Sequence, residues 1–437
     1  MFLDPINYPT TFDFDQPNDN YGIEIQCSML GTEKKPRALR PLSQHYTMLI
    51  IGIPTILATL TLRELKIRHR QKLQSETVLV MQGGGSLGAY ECGVFKALAK
   101  RGIKFDIVAG TSIGAVNAGI VAGSKSGRPE EDLEAFWLDV AETITPSIMP
   151  DYLRAVMSSS YCAFYGNPKL FSPVWFMAPS LKVNNGSKSY QWPYLYDLNV
   201  LKNTLKKYVD FTKLNDQNTT RLIVTSTDIK NSEAVIFDSM TTNIDADHLV
   251  ACAGYPFYGI RWTEKDGKYL WDGALLSNTP LREVIDSSPK RDKKVYIVNL
   301  FPHLQEELPE NLLDIWHRAR DIMHTDKTDN NVRMSKVISR YLLLLREMHD
   351  IISNAQLDKE LHERFTKIEP EYHKIADARG AIIDDITRIE RTEDTHFLFE
   401  DADFSLTTIK KLIRQGEDET EKALIEKEKE KQTGAKT

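Results

Sequence analysis

Two glycine-rich turns, each set between an apolar strand and an apolar helix, constrain the fold of this chain more than any other feature. The run "TVLVMQ", Thr77 to Gln82, is short, β-branched and ended by glycine, the pattern of a buried strand. Gly83, Gly84 and Gly85 follow. From Leu87 to Lys100, apolar residues at helical spacing (Leu87, Tyr90, Val94, Leu98) predict a helix closed by Gly102. "FDIVAGTS" reads as a second strand, and the small apolar stretch Ile113 to Val121 as a helix packed tightly on a sheet. Strand, helix, strand and helix within about 45 residues begin a parallel sheet, so the expected fold class is α/β with a mostly parallel central sheet.

Further strands are expected at "RLIVTSTDI", "EAVIFDS" and "KVYIVNL", an amphipathic helix at "NVLKNTLKKYV", and a long surface insertion at "APSLKVNNGSKSYQWPYLYD". Beyond Leu300 the character changes. Residues 308–350 and 355–376 are charged helical patterns with a core stripe at Leu313, Ile315, Ala319 and Ile322. The expected organisation is a loose N-terminal segment (1–45), a hydrophobic segment with a basic flank (46–72), the motif-bearing domain (73–300), a helical extension (301–415) and a solvated, charged tail (416–437).

The net charge of −6 argues against a general nucleic-acid binder. The four cysteines are scattered without a C-x-x-C pair, which suggests neither a disulfide framework nor a zinc site and fits a reducing compartment. Cys92, on an apolar helix face, reads as a small buried hydrophobe. "YTMLIIGIPTILATLTL", Tyr46 to Leu62, is uncharged and at the short limit for a bilayer span. It reads either as a membrane anchor, with the chain after it on the cytoplasmic side, or as a buried or surface-docked helix.

Gly83, Gly85 and Gly88 spell G-x-G-x-x-G, and Asp106 lies about 20 residues on, as in a dinucleotide fingerprint. Asp106, however, falls at the start or middle of its strand, whereas a ribose-binding acid belongs at the end. The second turn carries different chemistry. Gly110-Thr111-Ser112-Ile113-Gly114 is G-x-S-x-G, a nucleophile elbow whose glycines let Ser112 stand exposed at a helix N-terminus. Adjacent parallel strands bring both turns to one end of the sheet, where the bare amides of Gly84 and Gly85 can bind an oxyanion. For the base, Asp272 in "YLWDGALL" sits at a turn after an apolar approach, where partial burial would raise its pKa. A Ser112–Asp272–His303 triad is the alternative, but only one clear strand precedes the elbow, too few for an α/β-hydrolase. His317, His324 and His349 lie in charged helices and are expected at the surface. No H-E-x-x-H or acidic cluster supports a metal, and no cofactor is expected.

"GGGSLG", "GTSIG" about thirty residues on, and "DGA" far downstream together resemble the patatin-like phospholipases. The likeness covers about residues 77–300 and includes "ACAGYPFYG" and Asn278-Thr279-Pro280. The helical part after 301 is like an extension found in a microbial subgroup. The resemblance implies a three-layer α/β/α fold and a Ser–Asp dyad without histidine. Ser112 would be the nucleophile and Asp272, in the motif with Gly273 and Ala274, the base. Gly83, Gly84, Gly85 and Gly88 would form the oxyanion loop. Where many members carry Arg or Lys in that loop, this chain has Leu87. The implied activity is hydrolysis of a lipid ester at a membrane surface, with self-association through the C-terminal helices as a further expectation. Two alternatives stand beside it: a catalytically idle lipid-binding protein and a nucleotide-binding oxidoreductase.

Overall fold

The computed structural model describes residues 75–434, apart from 177–179, 185–186, 192–193, 288, 290, 306–307, 379–382 and 394–398. The expectations for residues 1–45 and 46–62 fall outside the described residues. The chain enters with β1 (Glu76–Met81), α1 (Gly88–Lys100), β2 (Ile107–Thr111) and α2 (Ile113–Ala122). Then come α3 (Pro129–Val140), α4 (Asp151–Tyr165), α5 (Asn199–Tyr208), β3 (Arg221–Asp228) and β4 (Glu233–Asp238). After these follow β5 (Thr263–Lys265), β6 (Lys268–Asp272), β7 (Lys293–Asn299), α6 (Leu312–Ser353), α7 (Lys359–Ala378), β8 (Ile383–Glu390) and α8 (Leu406–Gly434). The expected insertion carries a hairpin, Ser180–Asn184 against Ser187–Gln191.

The sheet runs β8-β7-β1-β2-β3-β6-β5, with β4 also on β3. β8, β7, β1, β2 and β3 pair in parallel, while β4, β6 and β5 join antiparallel. Both faces are covered, because successive strand residues supply different cores. Leu79, Met81, Val108, Leu222, Val224 and Val298 pack with α1, α2 and α3. Val78, Val80, Ile107, Ala109, Ile223 and Ile297 pack with Leu281 and Val284 of the short helix Leu281–Asp286 and with Val332 of α6. This is the expected three-layer α/β/α arrangement with C-terminal helices.

The C-terminal region differs from a purely helical extension. β8 adds a strand to the sheet and buries Thr387 and Ile389. Of the segment expected as a solvated tail, residues 416–434 belong to α8, which packs on α1. A Cβ on Gly93 would lie 1.9 Å from the Ile413 oxygen, and one on Gly416 2.1 Å from the Tyr90 oxygen. Those two glycines let the backbones touch. Along this part of the helix Thr420 and Leu424 are buried, while Asp418, Lys422 and Glu426 are exposed. Among the described residues, no helix is long and apolar enough to cross a membrane.

Candidate active site

Ser112 bridges β2 and α2 with φ 55° and ψ −127°. Such backbone costs a residue with a side chain of order 1–3 kcal/mol and persists only where its surroundings enforce it. Gly110 and Gly114 make that possible: a Cβ on Gly110 would lie 2.1 Å from the Gly114 oxygen, and one on Gly114 2.6 Å from the Met81 oxygen. Thr111 is buried, with its hydroxyl 2.8 Å from Thr225 Oγ1 and donating to the Ser277 carbonyl at 2.9 Å. Ile113 packs against Gly88, where an added Cβ would come within 2.7 Å. The half-buried serine thus stands at the N-terminal end of α2, where the helix dipole favours negative charge.

Asp272 reaches the same point from the opposite direction. β2 pairs with β3 through Arg221–Thr225, and β6 pairs antiparallel through Ser226–Asp228, ending at Asp272 opposite Ser226. β4 occupies 223–228 of β3, so β2 and β6 share the other edge end to end. Asp272 is fully buried, and this burial pushes its carboxyl up to about 7, with the Ala274 amide and the nearby Ser112 hydroxyl pulling the other way. Oδ1 accepts from the Ala274 amide at 2.8 Å, whereas Oδ2 is sealed from solvent without a well-aligned donor among the described residues. The Asp272 backbone is pinned by Gly254 and Thr227.

The glycine loop lies beside this pair. A Cβ on Gly83 would fall 2.8 Å from Ser112 Cβ and 2.5 Å from Asn278 Oδ1. Asn278 brackets Gly83: its carbonyl accepts the Gly83 amide at 3.2 Å and its Nδ2 donates to the Gly83 oxygen at 3.1 Å. Among the described residues the Gly84 and Gly85 amides make no hydrogen bond, whereas the Gly88 amide is used at the start of α1. Gly85 has φ +56° and lies against Asp401. Gly83, Gly84, Gly85, Ser112 and Ala274 all face one cavity of about 470 Å³ with mostly apolar walls, while Gly273 is buried under Thr225. Near its lining residues Phe257 and Leu195, the surface exposes Phe164, Trp175 and Phe176, which stack edge to face.

The other candidates lie elsewhere. Asp106 precedes β2 and accepts from the Thr77 amide at 2.7 Å, at the end of the sheet away from Ser112. His303 is exposed and pairs with Asp329 at 3.1 Å, outside the cavity. His317 and His324 depart from the expectation of surface residues: both are buried, because the face of α6 that carries them turns towards the sheet. His324 lines the cavity and stacks on Phe301. Among the described residues, two donor sets could hold a cation by proximity, His317–Glu393–Glu400 and His349–Glu369–His373. Arg320 and Arg391 already bond Glu400 at 3.0 Å, which disfavours a cation in the first. Sequence reasoning missed Arg320, Asp401 and His324 in the cavity wall; no local spacing marks them, since each arrives through the C-terminal region.

Residues 79–285 match the family of patatin-like phospholipases. A stretch of 61 residues is 43% identical to a patatin-like phospholipase domain-containing protein, ZK370.4, of Caenorhabditis elegans, and covers 14% of this chain and 4% of that protein. Among solved structures, VipD from Legionella pneumophila is similar at a TM-score of 0.32 and 13% identity, over 81% of this chain and 67% of VipD. ExoU from Pseudomonas aeruginosa, solved with SpcU, is similar at a TM-score of 0.27 and 13% identity, over 69% of this chain and 60% of the other. Residues 79–285 are thus similar to a patatin-like phospholipase domain, and the chain spans only a small fraction of the curated relative it matches.

Proposed function

We propose that this protein is a serine acyl hydrolase that cleaves carboxylic esters of lipids, phospholipid or lysophospholipid, through a Ser112–Asp272 dyad and an acyl-enzyme. The Ser112 hydroxyl gives its proton to Asp272 Oδ2 as Oγ attacks the ester carbonyl. The Gly84 and Gly85 amides take the negative charge on the carbonyl oxygen. The tetrahedral adduct collapses, the C–O bond to the alcohol breaks, and Asp272 returns the proton to the leaving oxygen. Water, deprotonated by Asp272, then releases the fatty acid and restores the serine. The observation that carries this reading is the buried carboxylate, with one oxygen short of a well-aligned donor among the described residues, beside a strained serine that lines an apolar cavity. Its pKa near 7 suits a base that must both take and return a proton.

The exposed aromatic residues near the mouth support approach to a lipid surface. Anchoring through residues 46–62 with the catalytic domain on the cytoplasmic side belongs to the same reading, and carbonate extraction of native membranes tests it. So does self-association through α6 and α7, which expose Tyr341, Leu344, Ile351 and Leu361; light scattering of the full chain tests that. For the chemistry, wild type, Ser112→Ala and Asp272→Asn are compared on a panel of phospholipids, lysophospholipids and neutral glycerides. Fatty-acid release by wild type alone is expected. Equal release by Asp272→Asn would remove the dyad.

A further inference from the structure

The glycine loop is held between two walls, and both are built from residues beyond the elbow and its aspartate. Leu300 forms the first wall: a Cβ on Gly84 would lie 2.8 Å from its Cδ1. The turn Glu400–Ala402 forms the second. A Cβ on Gly85 would lie 2.2 Å from the Asp401 oxygen, and the Ser86 hydroxyl donates to the Glu400 carbonyl at 3.0 Å. One guanidinium joins the walls. Arg391, from the end of β8, donates through Nε to the Leu300 carbonyl at 2.7 Å and through Nη2 to Glu400 at 3.0 Å. Arg320 of α6 closes the cluster, reaching Glu400 at 3.0 Å, Asp401 at 3.3 Å and Asp321 at 2.8 Å. Tyr258 donates to the other Asp401 oxygen. Arg320, Arg391, Glu400 and Asp401 are all buried.

Buried ions are a costly way to stabilise a fold, and apolar packing of the same volume often does as well. What a planar guanidinium adds is direction, since its donors fix the angle between two acceptors. Here one acceptor belongs to Leu300, which backs Gly84, and the other to Glu400, next to the Asp401 carbonyl that backs Gly85. We propose that Arg391, Arg320 and the Glu400–Asp401 turn are positioning residues that set the Gly84–Gly85 peptide for oxyanion binding, so that the active site is incomplete without the C-terminal region. The proposal rests on the hydrolase reading above.

The test uses the full chain with Ser86→Ala, Arg391→Lys and Glu400→Gln. Arg391→Lys keeps the charge and loses the fork. Ser86→Ala removes one hydroxyl and no charge, so it folds even if a variant of the ion cluster does not. The readouts are kcat and KM on a water-soluble short-chain p-nitrophenyl ester, the rate of Ser112 capture by a fluorophosphonate probe, and hydrogen exchange across 83–88. A displaced oxyanion donor weakens the transition state and leaves ground-state binding alone. Expected are a fall in kcat of about ten- to hundredfold with KM within about twofold, a parallel fall in capture rate and faster exchange at the loop. An active wild type that Ser112→Ala silences, together with variants of unchanged kcat or with the loss carried by KM, would sink the clamp and leave the hydrolase reading standing. A wild type inert towards both ester and probe would sink the reading itself, and the clamp's catalytic role with it.

Discussion

The serine turn and the clamp behind the glycine loop hold neighbouring parts of one site by opposite means. The turn at 110–114 is made of backbone: glycines bring main chain within reach of main chain, and no charge takes part. The clamp is made of buried charge, with Arg320, Arg391, Glu400 and Asp401 meeting from α6, from the end of β8 and from the loop before α8. Steric contact between short-range neighbours sets a distance at small cost in free energy and does not titrate. An ion cluster costs desolvation and responds to every proton it can bind. The contrast teaches where each device suits: sterics to force one strained serine, directional charge to hold a loop between two distant segments.

The largest effect belongs to the turn. Ser112→Ala removes the only atom proposed to bond the acyl group, and kcat/KM on a lipid ester should fall by about 10⁴-fold or more. Ser112→Gly should be as inactive, yet relieve the positive φ and raise stability by about 1 kcal/mol, measured as a higher urea midpoint at unchanged slope. A lower midpoint would mean that the serine is unstrained and that sterics is the wrong account of this half of the comparison.

Asp272→Asn comes next, with a loss of about 10³- to 10⁴-fold. It also separates function from stability. Burial raises the carboxyl to about 7, above its ordinary unfolded value near 4, so charging it costs the folded protein stability as pH rises from about 4 through 7. The asparagine carries no such cost. At pH 8 the variant should be more stable than wild type, by of order 1–4 kcal/mol, although it is nearly inactive. The same ionisation should appear in wild-type kcat/KM, which should rise with pH through about 7 as the base form accumulates. A flat profile between pH 6 and 8 would take the role of base from Asp272.

Gly85→Ala tests the contact between the two halves. The methyl would meet the Asp401 carbonyl at 2.2 Å, and φ +56° disfavours any side chain. Either the loop or the turn must move. The expected cost is about 1–3 kcal/mol in stability and about 10²-fold in kcat. Gly102→Ala, with a similar φ and open space around it, should show the stability loss without the kinetic one, which isolates the contact from the dihedral.

Legibility follows the same divide. The elbow, the glycine loop and the strands around them could be read from sequence because each is a local pattern: glycine at a fixed offset, β-branched residues in short runs, period 3.6 in α1. Asp272 could be picked out as a buried turn acid, but its arrival beside Ser112 depends on β6 running antiparallel along β3, which no local pattern states. β8 and α8 were illegible for physical reasons. "IDDITRIE" carries four charges because it is an edge strand, and α8 hides its apolar stripe among lysines and glutamates. Arg391 and Glu400 belong to no spacing at all; only the folded sheet brings them together. His317 misled because a histidine in a charged helix looks solvated until the helix is seen to turn that face inward.

His317 supplies the smallest effect and the sharpest difference between charge and sterics. Burial opposes its protonation, yet Glu393 at 2.9 Å, Glu400 at 3.7 Å and the charge of Asp321 outweigh both burial and Arg320, pushing it up to about 9. Arg391 also bonds the same Glu400 oxygen. A folded value above the unfolded one near 6.5 stabilises the protein fully below pH 6.5, and that stabilisation is lost as pH rises through about 9. Wild type should therefore lose of order 1–3 kcal/mol between pH 6.5 and 9.5 that His317→Gln does not lose, read as the difference between their urea midpoints at each pH. The glycine turn contains nothing that titrates, so Ser112→Gly should keep the full wild-type slope over the same range. If His317→Gln keeps that slope as well, the cluster does not hold a protonated imidazole, and the charge balance around Glu400 rests on the two arginines alone.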